Sequence, residues 1–159
     1  MVEKVEEQVR MLVSLQEATV RDDDGREVEV TIIRPGLSQN GLLYGEGVLR
    51  ESLPLWEGCT ALSDHVREGE RASVRNVVGS YSSIRYQDGV RGTLRFLAMA
   101  DDLWRMVRQV VRDREAGKSV PKIGISADIH VEREPATYAG KRIQRVTRIT
   151  KVNSADMVF

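Results

Sequence analysis

Cysteine is almost missing from this sequence: Cys59 is the only one in 159 residues. That excludes an internal disulfide and any cysteine-based zinc site, and Cys59, with apolar neighbours, reads as a small buried hydrophobe. Histidine is nearly as scarce, with His65 and His130 alone. Two histidines among scattered acids show no ligand spacing, so a metal hydrolase is disfavoured and no metal or cofactor is called for. Aromatics are few, with two Phe, two Trp and four Tyr, which is poor material for a base-stacking surface. Neither sign of charge is in excess, since 24 basic residues balance 24 acidic ones. The basic field that nucleic acid requires is therefore absent. No apolar run reaches the length of a membrane span and the first residues hold no signal-peptide core, so no membrane partner is expected and the chain should stay in a cytoplasm-like compartment. There is no repeat, low-complexity stretch or linker, and the length suits one domain, 1–159.

What is present is strand pattern. Residues 1–10 are charged and weakly patterned, and read as a frayed helix or flexible tail. Met11–Val20 is a strand candidate, and Asp22-Asp23-Asp24-Gly25 reads as a hairpin turn. Glu27–Ile33 alternates, with Val28, Val30 and Ile32 on one face, and Pro35-Gly36 ends it. A loop is expected over 36–47, a short helix near Val48–Trp56, and a strand from Gly58 to Ser63 that runs into Asp64-His65. After a charged loop, Asn76–Tyr86 and Gly89–Met99 predict a hairpin across Gln87-Asp88-Gly89. Asp101-Asp102 reads as a helix N-cap. The helix would run to about Arg114, with Leu103, Trp104, Val107, Val110 and Val111 as its apolar stripe, packed on its own core. Lys122–Val131 and Lys141–Val152 predict long strands joined near Gly140. About seven strands and two helices that do not alternate favour a mainly antiparallel barrel with helices packed outside.

Any serine-hydrolase reading must use one of the two histidines as its base. Ser126, Asp128 and His130 share one face of a strand by period two. A triad written along one strand is nonetheless refused by geometry: Ser126 and His130 lie roughly 13 Å apart at the strand repeat, against the ~3 Å that a proton relay needs. His65, at the end of an apolar strand beside a charged loop, is the better placed histidine. The patterns alone stop at a mixed barrel holding a serine and a histidine able to pair.

The order of several segments resembles the prohead (capsid maturation) serine proteases of tailed bacteriophages, a family similar in fold to the herpesvirus assemblins. The likeness runs from about Val28 to Val158. Ile33-Arg34-Pro35-Gly36-Leu37-Ser38-Gln39-Asn40-Gly41 looks like the family's early loop, continued by Tyr44 and Val48-Leu49. Pro54-Leu55-Trp56-Glu57-Gly58 leads toward Ser63-Asp64-His65, which looks like its histidine motif. Arg75-Asn76-Val77-Val78-Gly79 resembles the strand after the loop, and Gly124-Ile125-Ser126-Ala127-Asp128 resembles the Gly-Leu-Ser serine motif. Ile149–Val158 resembles the closing Ser-Val-Asp-hydrophobic segment, with Ala155 where a larger aliphatic residue is common. The family's closing segment runs on into a proline-alanine stretch, and the stop at Phe159 reads as trimming or self-processing.

The resemblance implies a mainly β fold with α, a β-barrel ringed by helices of the herpesvirus-protease kind. It implies Ser126 as nucleophile and His65 as base. Asp156 is the candidate third member, with His130 a minor competitor because the related viral enzymes use a histidine there. It implies scaffold protein and the scaffold-like arm of the capsid protein as substrates, and the enzyme itself. It further implies a homodimer, and action inside the assembling prohead in the host cytoplasm. Two rival readings stand beside it. One is an inert capsid-assembly or scaffold-binding module of the same fold; the other is a small nucleic-acid-binding barrel, which the charge balance and the placement of Trp56 and Trp104 on helix candidates disfavour.

Overall fold

The computed structural model describes residues 5–15, 18–64, 70–71 and 73–158, with backbone only at 5–6 and 10–14. In chain order the elements are β1 (Val5–Ser14), β2 (Thr19–Asp22), β3 (Glu27–Ile33), β4 (Gly36–Leu37), β5 (Leu42–Tyr44), α1 (Glu46–Glu51), α2 (Leu53–Trp56), β6 (Thr60–Leu62), β7 (Val77–Tyr86), β8 (Val90–Phe96), α3 (Asp101–Glu115), β9 (Gly124–Tyr138) and β10 (Lys141–Val158). They build two five-stranded sheets, ordered β1-β9-β10-β5-β4 and β2-β3-β8-β7-β6.

The expected closed barrel ringed by helices is not what forms. Closure needs the end strands of a sheet to pair, and here each sheet keeps two ends, β1 and β4 in one, β2 and β6 in the other. Among the described residues the sheets meet through one isolated parallel bridge, Ser63 to Met157, and through cross-contacts such as the Tyr81 hydroxyl on Ala155 O, with no continuous ladder between them. Nor do helices encircle the strands. α1 and α2 are single short turns, and only α3 is long, at 15 residues.

Local sequence explains the main elements. Val28, Val30 and Ile32 of β3 are buried, as its alternation predicts, and at its end Thr31 and Ile33 on the other face are covered as well. α3 buries Trp104, Val107, Val110 and Val111 in its own chain's core, with Trp104 tilted against Phe96 at 5.5 Å between ring centres. Asp101 is not its cap. Ala100 holds that position without a side-chain cap bond. The Asp101 carboxylate turns instead to Arg26 Nε at 3.0 Å, which holds it below the usual carboxylate range. Asp23, from the β2–β3 turn, takes Arg108 at 2.9 Å and Arg112 at 2.5 Å and so ties that turn to α3.

Two further differences from the sequence reading bear on the site. Val5–Arg10, read as a helix or tail, belong to β1, which pairs with β9 along its whole length. The strand read as Lys141–Val152 continues to Val158, so β9 and β10 form one long hairpin. Its turn is Ala139-Gly140, both at positive φ, as a two-residue turn of the primed kind requires. β10 also bulges three times, skipping Thr147, Thr150 and Asn153 in the register. Each skipped residue reaches across to β9 with its side chain: Thr147 to Glu132 O at 3.1 Å, Thr150 to His130 O at 3.2 Å, and Asn153 Nδ2 to Asp128 Oδ1 at 3.2 Å.

Candidate functional site

Period two divides the first half of β9 into two faces. Ile125, Ala127, Ile129 and Val131 enter the apolar core. Ser126 and Asp128 take the other face and are buried as well, and His130 follows them half-buried. Across the hairpin, Asp156 is the register partner of Ser126, and Ser154 is the partner of Asp128. Directly opposite residues of an antiparallel pair present their side chains on one face. The result is two polar rungs on one face, Ser126 with Asp156 and Asp128 with Ser154, with the apolar rung of Ala127 and Ala155 between them on the other face. Among the described residues only seven polar side chains are buried, and these four are the majority. A buried polar group is costly unless it is hydrogen-bonded, so their concentration on one strand pair marks this place.

Asp156 is fully buried, and its Oδ1 accepts the backbone N–H of Leu62 at 3.3 Å. One residue on, Met157 O accepts the N–H of Asp64 at 2.8 Å. The end of β6 is thus fastened beside the Asp156 segment of β10. Ser63 N–H also donates to Asn76 O at 2.8 Å, which ties the end of β6 to the segment that enters β7. Behind β10, the buried Tyr81 hydroxyl donates to Ala155 O at 2.9 Å. Burial, then the neighbouring Cys59 and Asp156, push the phenol far up, so it keeps its proton and remains a donor. Burial and the Asp156 charge also push the Cys59 thiol up to about 12. Cys59 is therefore a protonated, unreactive thiol at neutral pH, in keeping with its reading as a small hydrophobe.

Of the residues singled out from sequence, Ser126 and Asp156 are brought together. His130 faces Lys151, four residues along the strand from Ser126. His65 lies outside the described residues; the residue before it, Asp64, is the one anchored to Met157. Near the end of α3, Arg114 donates to Leu15 O and, at 2.6 Å, to Ala18 O, tying the helix to the segment after β1. Beside the polar rungs opens a cleft of about 440 Å³. Sequence reasoning did not single out Tyr81, whose contact is 74 residues away in the chain. It did not assign a task to Asp128 either, although period two had set it on the serine face.

No family model and no curated protein matches this sequence. Among solved structures, the fold is similar to that of the capsid assembly protease gp21 of bacteriophage T4. The TM-score is 0.57 at 12% identity, and the match covers 99% of this chain and 98% of that one. The likeness is one of fold and is to a phage protein; the expected similarity to herpesvirus assemblins has no such support.

Proposed function

We propose that this protein is a serine endopeptidase of bacteriophage head assembly, with Ser126 as nucleophile, His65 as base and Asp156 as the acid behind the base. The observation that carries the reading is the register of Asp156 with Ser126, on two strands whose opposed Cα atoms are about 4.5–5.5 Å apart. The anchoring of Asp64 to Met157 supports the choice of His65, because chain connectivity keeps it one residue from that anchor. The fold shared with a phage capsid assembly protease supports the setting.

In the mechanism, the Ser126 hydroxyl attacks a peptide carbonyl while His65 accepts its proton. His65 then returns that proton to the departing amine, leaving an acyl-serine that water cleaves by the same path in reverse. Base assistance of this kind contributes about 10²–10⁴ in rate. Asp156 orients the imidazole and favours its cationic form, and the Leu62 N–H and the Tyr81 clamp on Ala155 hold the carboxylate and its strand in place. The substrates in this reading are scaffold protein, the scaffold-like arm of the capsid protein, and the enzyme itself, cut inside the prohead by a homodimer. High local concentration there stands in for affinity.

The test is intact mass after incubation with a fluorophosphonate. A single adduct on Ser126, lost in Ser126→Ala and much slower in His65→Ala, is the expected result. No adduct at any protein concentration would replace this reading with that of an inert assembly module.

A further inference from the structure

We propose that a groove near the turn of the β9–β10 hairpin binds an acidic segment of a partner protein, with the Arg142 guanidinium taking a glutamate or aspartate carboxylate. The inference goes beyond the proposed reaction and stands on the groove's own chemistry.

The groove measures about 620 Å³. Strand register puts its main residues on one face. Thr137 of β9 faces Arg142 of β10, and the next rung on that face sets Pro135 opposite Gln144. The proline leaves no ladder bond unmade, because Gln144 N–H turns away from β9 and donates to Gly41 O at 3.1 Å. That bond also draws the turn between β4 and β5 alongside, where Asn40 forms a second wall.

These side chains offer donors. Arg142 brings its guanidinium N–H groups, Thr137 a hydroxyl and Gln144 an amide. Asn40 already accepts the Ser38 hydroxyl on Oδ1, which leaves its Nδ2 hydrogens to give. Among the described residues no acid lines the groove, and Arg142 is its only charged group. The hairpin's other arginines are matched: Arg133 with Glu7, Arg145 with Glu134 and Arg148 with Glu132. Among the described residues Arg142 has no such carboxylate.

A carboxylate is the anion that fits. It takes two parallel N–H bonds from one guanidinium, and Pro135 and Ile143 give apolar surface for the short stem that carries it. A phosphate dianion would bring a second charge with no second cation to meet it. A basic side chain would meet like charge at Arg142. The stretch of β9 from Ser126 to Thr137 spans roughly 36 Å at the strand repeat. The groove therefore holds its partner well away from the proposed nucleophile, and a segment reaching both needs about eleven extended residues.

The test titrates the full chain carrying Ser126→Ala with fluorescein-labelled decapeptide pools that hold glutamate, glutamine or lysine at two central positions, read by anisotropy at low salt. Glutamate should bind about fivefold tighter than glutamine, the order for one ion pair in an open groove, and lysine should bind more weakly than either. Added salt should narrow the gap. Arg142 is exposed, so Arg142→Gln leaves the core untouched and should bring the ratio near one. Arg142→Lys should keep part of the preference. Gln144→Glu, which supplies a carboxylate inside the groove, should abolish it with Arg142 intact. Equal binding of glutamate and glutamine pools, or a preference that survives Arg142→Gln, overturns the inference. Displacement of glutamate peptides by equimolar inorganic phosphate overturns the choice of a carboxylate. Binding is read without cleavage, so the two readings fail separately. Fluorophosphonate labelling of Ser126 in the wild type without a glutamate preference removes the groove and keeps the protease; a preference through Arg142 without labelling keeps the groove and removes the protease.

Discussion

On the β3–β8 pair the buried polar side chains are two threonines, and each accepts a hydrogen bond from an arginine of the same sheet: Thr31 from Arg91 of the adjoining β8 at 2.9 Å, and Thr93 from Arg21 of β2, across β3, at 3.0 Å. On the β9–β10 pair they are two serines and two aspartates that face one another across two alternate rungs on one face. The first arrangement is what a stable sheet needs, because a small neutral group that is fully bonded costs little. The second sets two carboxylates in the interior, where each must be compensated, and a sheet built for stability alone would have no use for them. In the proposed reading, buried polarity in one sheet serves the fold, and in the other it serves chemistry.

The sharpest way to test that contrast is Asp156→Asn. If the carboxylate serves the serine, fluorophosphonate labelling of Ser126 should slow on the order of 10³–10⁴-fold while the far-UV spectrum is unchanged. A drop of only a few-fold would make Asp156 a structural acid and erase the contrast. Next in size is Gly79→Ala on β7. A Cβ there would sit 1.9 Å from Arg95 O of the adjoining strand, so the β7–β8 ladder must part, at a cost of about 3 kcal/mol in a urea titration. Thr93→Val probes the other half of the contrast. It should lose about 1 kcal/mol for the broken bond to Arg21 and leave the labelling rate as it was; a change in labelling would mean that the two sheets are not separate in function.

The smallest effect belongs to the surface. Arg108, and then Arg112, hold Asp23 below its ordinary pKa. Its contribution to stability is therefore present above the unfolded value, near about 3.9, and is lost as pH falls through the lower folded value. The difference in urea midpoint between wild type and Asp23→Asn should be visible at pH 6 and shrink as acid protonates the carboxylate. A difference that persists in acid would point to packing, not charge.

Sequence pattern reached the parts of the fold that local rules govern. Glu27–Ile33 alternates cleanly and is β3; the apolar stripe from Trp104 to Val111 is the buried face of α3; Asp88-Gly89 makes its turn because both residues take positive φ. It stopped where tertiary partners decide. Val9 is buried on β1 amid charges that made the stretch look like a tail, and those charges are accommodated by β9, as in the Glu7–Arg133 pair at 2.5 Å. β4 and β5 are two and three residues long, too short to show a period. At the site, Ser126 and Asp156 were named through resemblance. Their meeting depends on the register of β10, which was read as a plain strand although its apolar residues Val146, Ile149 and Val152 recur every third position and not every second.

That threefold recurrence makes the hairpin a gear. From Val146 to Ala155, β10 advances three residues for every two of β9, while from Lys141 to Val146 the strands run one to one. An ungeared ladder from the Ala139-Gly140 turn would set Asn153, a neutral amide, opposite Ser126; the three slipped teeth bring Asp156 there instead. Trimming a single tooth, Thr147 or Thr150, changes the ratio locally and leaves Asp156 on its rung. Excising a whole triplet, Ile149–Lys151, turns the gear by two rungs and carries the carboxylate to Asp128, on the correct face but beyond the serine. Along this hairpin, chain length sets what faces Ser126 as firmly as residue identity does.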